Sequence, residues 1–248
     1  MMRARGLLTP LAVAMGLLLA WQALVTVTGL PPFLLPGPGA VAEALWSHRA
    51  VLAHAALRSL TEILIGFALG SGTGAALAVL MASLPRLAAV LRPVLLLSQV
   101  IPIFALAPIL TLWLGFGTAP KIVVVALICF FPVASAFYDG LLRTSPACLD
   151  LVRTMGANPW REMVHLRIPM ALPMLGSGLV LAAVYAPIGA VIGEWVGGSE
   201  GLGAVMIHAN GRMRTDLAFA ALALVTLIAL GFHALVSRAV SRGFARFG

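Results

Sequence analysis

The stretch LDLVRTMGANPWREMVHLRIPMALP, Leu149 to Pro173, packs five charged residues (Asp150, Arg153, Arg161, Glu162 and Arg167), a histidine and three prolines into one short segment. The chain around it is 61% hydrophobic and only 10% charged. On either side lie apolar runs without a charge, so the stretch reads as a polar connector between segments that do not belong in water. A mean hydropathy of +1.06 over 248 residues exceeds what a soluble domain can bury. The chain is a polytopic membrane protein.

Working outward, the apolar runs are Leu7 to Leu30, Ile63 to Pro85, Pro93 to Pro120, Ile122 to Tyr138, Ile168 to Gly193 and Leu217 to Ser237. Each approaches the ~20 residues that a helix needs to cross ~30 Å of hydrocarbon, which predicts an all-α fold with six transmembrane helices. Pro102 and Pro108 predict a kinked or broken third span. Arg3 and Arg5 ahead of an apolar run also resemble the start of a signal peptide. That run is longer than the usual ~7–15 residue apolar core, and Val25 to Gly29 is no A-x-A-like cleavage site.

Lys and Arg set orientation. With the N-terminus inside, cytoplasmic segments hold Arg3, Arg5, Arg86, Arg92, Arg143, Arg153, Arg161, Arg167, Arg238, Arg242 and Arg246. Outer segments hold Arg49, Arg58, Lys121, Arg212 and Arg214. Both termini and the quoted stretch are thus expected in the cytoplasm. The net charge of +8 reads as topology signal and contact with anionic lipid, not as a nucleic-acid surface. Cys129 lies mid-span and Cys148 in the cytoplasmic loop, which suits neither a disulfide nor a metal cluster.

Within the loop, Ser145 is placed to cap a helix that opens at Pro146, with Asp150 favouring its N-terminal end. Leu149, Val152 and Met155 recur at helical spacing, and Gly156-Ala157-Asn158-Pro159 reads as the stop. Trp160, Met163, Val164 and Leu166 form a second apolar stripe before Pro169. Two short amphipathic helices with no domain of their own to pack on make a docking surface for another protein.

The pattern Asp150-Leu151-Val152, Gly156, Leu166-Arg167-Ile168-Pro169 resembles the EAA loop of ABC-importer permeases: E-A-A, three residues, Gly, nine residues, I-x-L-P. Asp150 stands for Glu, Leu151 and Val152 for the alanines, Leu166 for Ile and Ile168 for Leu. Further resemblance to the nitrate/sulfonate/taurine-type permeases lies in Pro36-Gly37-Pro38, Ser59-Leu60-Thr61-Glu62 with Gly66-Phe67, Gln99-Val100-Ile101-Pro102, Ala107-Pro108 and Leu114-Gly115-Phe116-Gly117. The tract Gly189 to Gly198, with Gly201-Leu202-Gly203, His208 to Arg212 and Thr215-Asp216, looks most similar to permeases for thiamine-precursor pyrimidines.

That resemblance implies a type I ABC importer permease fold, a single domain over residues 1–248 whose segment 143–169 is the ATPase-coupling loop. Its implied contact residues are Asp150, Leu151, Val152, Met155, Gly156, Ala157, Trp160, Leu166 and Pro169. It further implies a bacterial inner-membrane location and, as partners, a second copy, a cytoplasmic ABC ATPase dimer and a periplasmic or lipid-anchored solute-binding protein. The chain itself is expected to be no enzyme and to bind no cofactor. ATP and Mg belong to the ATPase, and this sequence has no G-x-x-x-x-G-K-[ST] loop.

Polar groups inside spans are costly, and so each invites a role. Arg58 and Glu62, four residues apart, are expected to pair on one helix face. Glu194 and Trp195 either reach the outer interface or line the substrate pathway; Gln99, beside the break, and Tyr185 are the other pathway candidates. Gly66, Gly70 and Gly74 are read as a helix-packing stripe, not a phosphate loop. Gly201 to Asp216 is either a landing area for a binding protein or a solvated loop. Spans without Arg or Lys lean towards a neutral heterocycle as cargo, with sulfonate, taurine or nitrate the alternative. An ATP-independent carrier would not need a spaced docking loop. A membrane-embedded enzyme would need a convergent set, and there is no H-E-x-x-H while the five histidines are scattered.

Overall fold

The computed structural model describes the backbone of residues 2–244 and the side chains from residue 12 onward. The orientation argument's Arg3 and Arg5 side chains and its Arg246 lie outside this range. All regular structure among the described residues is helical. The first helix is α1 (Met2–Thr28), whose residues from 12 onward are exposed on nearly every side, and a turn rich in proline leads to α2 (Pro38–Ser47), which opens with Pro38 in its first turn. Then α3 (Arg49–Ser83) runs for 35 residues until Leu84, whose position before Pro85 holds it out of helical geometry at φ −126°, ψ 84°.

Pro85 opens α4 (Pro85–Ser98), and α5 (Ile103–Leu114) leaves it at 100°. The predicted break is there, at Gln99 to Pro102; Pro108 sits inside α5. Next comes α6 (Thr118–Leu142), longer than its charge-free run, followed by α7 (Pro146–Thr154) and α8 (Pro159–Glu162). A π-helical turn, Met163–Arg167, joins α8 to α9 (Ile168–Gly197), and α10 (Leu202–Gly211) and α11 (Thr215–Phe244) complete the described chain.

By length and composition α3, α6, the continuous Pro159–Gly197 run and α11 suffice to cross a membrane, the bent α4–α5 pair makes a fifth, and Ala12–Thr28 is a shorter apolar helix. The six apolar runs of the sequence fall on α1, α3, α4–α5, α6, α9 and α11 in turn.

At the centre, α6 is sandwiched between α3 and α9 around Ile63, Val125, Cys129, Val133, Ala182, Ala183, Ala186 and Ala190. In lipid no hydrophobic force drives helices together, so close contact between small residues must do it. Gly66, Gly70 and Gly74 supply that contact: a Cβ on Gly70 would fall on the Ala126 carbonyl, and one on Gly74 would lie 2.6 Å from the Phe130 oxygen. The packing reading of this stripe holds. Gly201 to Asp216, by contrast, is no solvated loop, because most of it is α10, which buries Leu202, Gly203, Ala204 and Ala209.

Candidate functional site

Three places are candidates for function, beginning with the loop between α6 and α9. Pro146 fixes the first turn of α7 as expected, but Ser145 at its N-cap makes no side-chain bond and Asp150 turns instead to Arg153, 3.8 Å away. A serine hydroxyl has other staggered rotamers, so cap residue type alone does not place the bond. The stop is a Schellman motif, in which Gly156 N–H donates to Arg153 O (3.0 Å) and Ala157 N–H to Val152 O (2.9 Å). It requires the left-handed φ of +83° found at Gly156. Asn158 then caps α8, its Oδ1 accepting from Arg161 N–H at 2.8 Å.

The expected second helix is not separate: from Pro159 the chain stays helical through the π turn into α9. Pro169 therefore lies inside the run, where its missing N–H and its ring are accommodated by the irregular turn ahead of it. Leu151, Met155 and Trp160 are 61%, 78% and 70% exposed, while Val152, Ala157, Leu166 and Pro169 are half-buried. Large apolar side chains thus stand exposed around the Gly156 turn. Behind them Glu162 is buried between Arg153 and Arg167.

At the opposite end of the bundle lies a polar latch. Glu194 is fully buried; Ser59 Oγ donates to its Oε1 and Gly203 N–H to its Oε2, each at 2.5 Å, and Leu202 N–H donates to Ser59 Oγ at 2.9 Å. Its carboxylate thus sits at the N-terminus of α10, where orphan N–H groups and the helix dipole favour an anion.

The expected Arg58–Glu62 pair is not formed. Glu62 and Lys121, both buried, meet at 3.1 Å, and Arg58 reaches Glu200 at 3.1 Å. The reason is that Glu62 points into the α3–α6 seam while Arg58 faces the surface. Lys121 Nζ also donates to the Glu200 carbonyl at 2.9 Å, so α3, α6 and α9 all hold the Gly198–Leu202 turn. Sequence reasoning missed Ser59, Lys121, Glu200 and Gly203; a lone lysine between two charge-free runs, matched to two lone glutamates, was the available signal.

The third place is a cavity of about 540 Å³ against the α4–α5 break, and it brings Gln99 and Tyr185 together with Ser98, Phe131 and Ser135. No basic side chain lines it. Glu194 is not among its walls, and Trp195 faces other grooves, beside α10 and α11.

The chain is 47% identical over 224 residues to a probable ABC transporter permease protein of Haemophilus influenzae, covering 90% of this chain and 91% of that one. It is 37% identical to a riboflavin transport system permease protein of Chloroflexus aurantiacus (88% and 82% covered) and 35% identical to a formylaminopyrimidine transport permease protein of Halalkalibacterium halodurans (95% and 94%). Its fold is shared with the inward-facing MetNI methionine ABC transporter at a TM-score of 0.63 and 20% identity, over 78% of this chain and 98% of that one. With residues 66–242 matching the family's sequence model, the chain belongs to the binding-protein-dependent transport system inner membrane component family.

Proposed function

We propose that this ABC importer permease subunit pairs with a second copy to form one pathway, that its 143–169 loop seats in a cytoplasmic ATPase, and that its cargo is a neutral nitrogen heterocycle of the pyrimidine class. Both termini then face the cytoplasm, and a free or lipid-anchored binding protein delivers solute to the far side. The observation that carries the reading is the docking face itself: Leu151, Met155 and Trp160 stand exposed around a Gly156 turn that ends in the span α9. Closure of the ATPase pair on ATP and Mg²⁺ moves the seated loops, and the helices follow from outward to inward access.

Two features support the cargo. Relatives at 37% and 35% identity carry the names of heterocycles, riboflavin and formylaminopyrimidine. The cavity at the broken span offers an amide, hydroxyls and aromatic faces but no cation, which suits a neutral ring better than sulfonate, taurine or nitrate.

The test is uptake into vesicles that hold the permease with its ATPase and binding protein, using hydroxymethylpyrimidine, riboflavin, taurine and nitrate. Gly156→Asp is the diagnostic variant. A Cβ at 156 meets nothing within 4 Å and Asp enters left-handed geometry at a strain of about 1–2 kcal/mol confined to an exposed turn, so the protein still inserts while a charge appears on the docking face. Pyrimidine uptake that needs ATP and is lost in Gly156→Asp is the expected result. Uptake indifferent to ATP, or normal in the variant, overturns the coupling; uptake of an anion alone overturns only the cargo.

A further inference from the structure

The docking helix α7 has no buried residue. Among the described residues, the side-chain hydrogen bonds that leave it run from Arg153 to Glu162: Nε to Oε2 at 2.9 Å and Nη2 to Oε1 at 3.3 Å. Glu162 belongs to the continuous helical run that becomes α9. Its carboxylate is gripped a second time by Arg167, Nε to Oε1 at 2.8 Å and Nη2 to Oε1 at 2.5 Å.

That second grip depends on the π turn. In an α-helix residues five apart point about 140° away from each other, since each residue turns ~100°. Here Ile168 N–H donates to Met163 O, five residues back. The extra residue in that turn brings Arg167 round beneath Glu162, and turns of this kind recur at functional positions.

From this we infer that Glu162 is a positioning residue for transport: the Arg153–Glu162–Arg167 clamp makes α7 and α9 move as one body, so that force on the docking face reaches the span and is not lost in the Gly156 turn. The inference rests on the coupling-loop reading above. Backbone continuity alone is a hinge, because the four residues from Met155 to Asn158 are held by turn hydrogen bonds and little packing. The bidentate Arg153 contact removes the hinge's freedom, and a fork of two N–H groups resists rotation as well as separation.

The experiment measures three quantities on the assembled transporter in proteoliposomes: ATPase capture, ATP hydrolysis and solute carried per ATP. Arg153→Gln and Glu162→Gln are expected to capture the ATPase and hydrolyse ATP as the native chain does, yet to carry about 5- to 10-fold less solute per ATP, within the usual range of coupling between sites. The double variant is expected to be no worse than Glu162→Gln alone, because that change already removes the Arg153 contact together with the Arg167 one. Arg153 is 53% exposed, so Arg153→Gln tests the clamp even if Glu162→Gln fails to fold.

Unchanged solute per ATP in Arg153→Gln, additive losses in the double variant, or loss of ATPase capture each overturn the clamp. A native chain that captures no ATPase overturns the coupling-loop reading beneath it, and shows as a failure before any variant is compared.

Discussion

Gly70 and Gly72 lie two residues apart on α3, and changing each to alanine isolates what helix packing contributes. Both substitutions gain about 1 kcal/mol of helix propensity. A Cβ at 72 meets nothing within 4 Å, whereas one at 70 lands on the Ala126 carbonyl with Ala126 Cα 2.9 Å and C 3.0 Å away. Those atoms are helix backbone and cannot swing aside, so α3 and α6 must separate until all of them, the nearer carbonyl oxygen included, reach the 3.4 Å of an ordinary contact. The same shift loosens Gly66 on Val125 and Gly74 on Phe130.

Overpacking of this kind costs about 1–3 kcal/mol. At ~2–4 °C per kcal/mol for a chain of this size, the two variants should differ in melting midpoint by roughly 2–12 °C, Gly70→Ala the lower. Thermal unfolding of the detergent-solubilised protein, followed by the loss of its monodisperse peak on size exclusion, measures the gap. Equal midpoints would show that the α3–α6 seam is not held by this glycine stripe, and the reasoning would fail with it.

Lys121→Met leaves the Glu62 carboxylate buried without its cation, a change that costs about 3–5 kcal/mol; adding Glu62→Gln should recover half or more of the lost melting midpoint, and no recovery refutes the pairing. Gln99→Ala and Tyr185→Phe remove polar groups from the cavity at the broken span, and each is expected to raise the half-saturating solute concentration for uptake about fivefold, for a hydrogen bond of ~1 kcal/mol. Unchanged uptake constants in both variants exclude that cavity from the pathway.

Features governed by local chemistry were legible in the sequence. Pro102 marked the break, Gly156 the left-handed stop, and the four-residue spacing of Gly66, Gly70 and Gly74 a packing face. Features governed by distant partners were not. Arg58 and Glu62 satisfy the spacing rule for a helical pair, but Glu62 lies on the face that meets α6, and the cation waiting there is far along the chain. Glu194 read as an interface residue or a pathway wall because nothing local announces that Gly201 turns back to present α10's N–H groups to it. The π turn was equally hidden: Pro169 looked like the start of a span when the helix begins ten residues earlier, at Pro159.

The exposure of α7 has an evolutionary side. A helix with no fully buried residue can exchange exposed apolar residues such as Leu151 without repacking the bundle, provided Arg153, the Gly156 turn and Glu162 are kept. On the proposed reading of this loop as the ATPase contact, its exposed face can drift to fit a new ATPase while the membrane path drifts to fit a new solute. Fit to the motor and fit to the cargo then vary separately within a single chain.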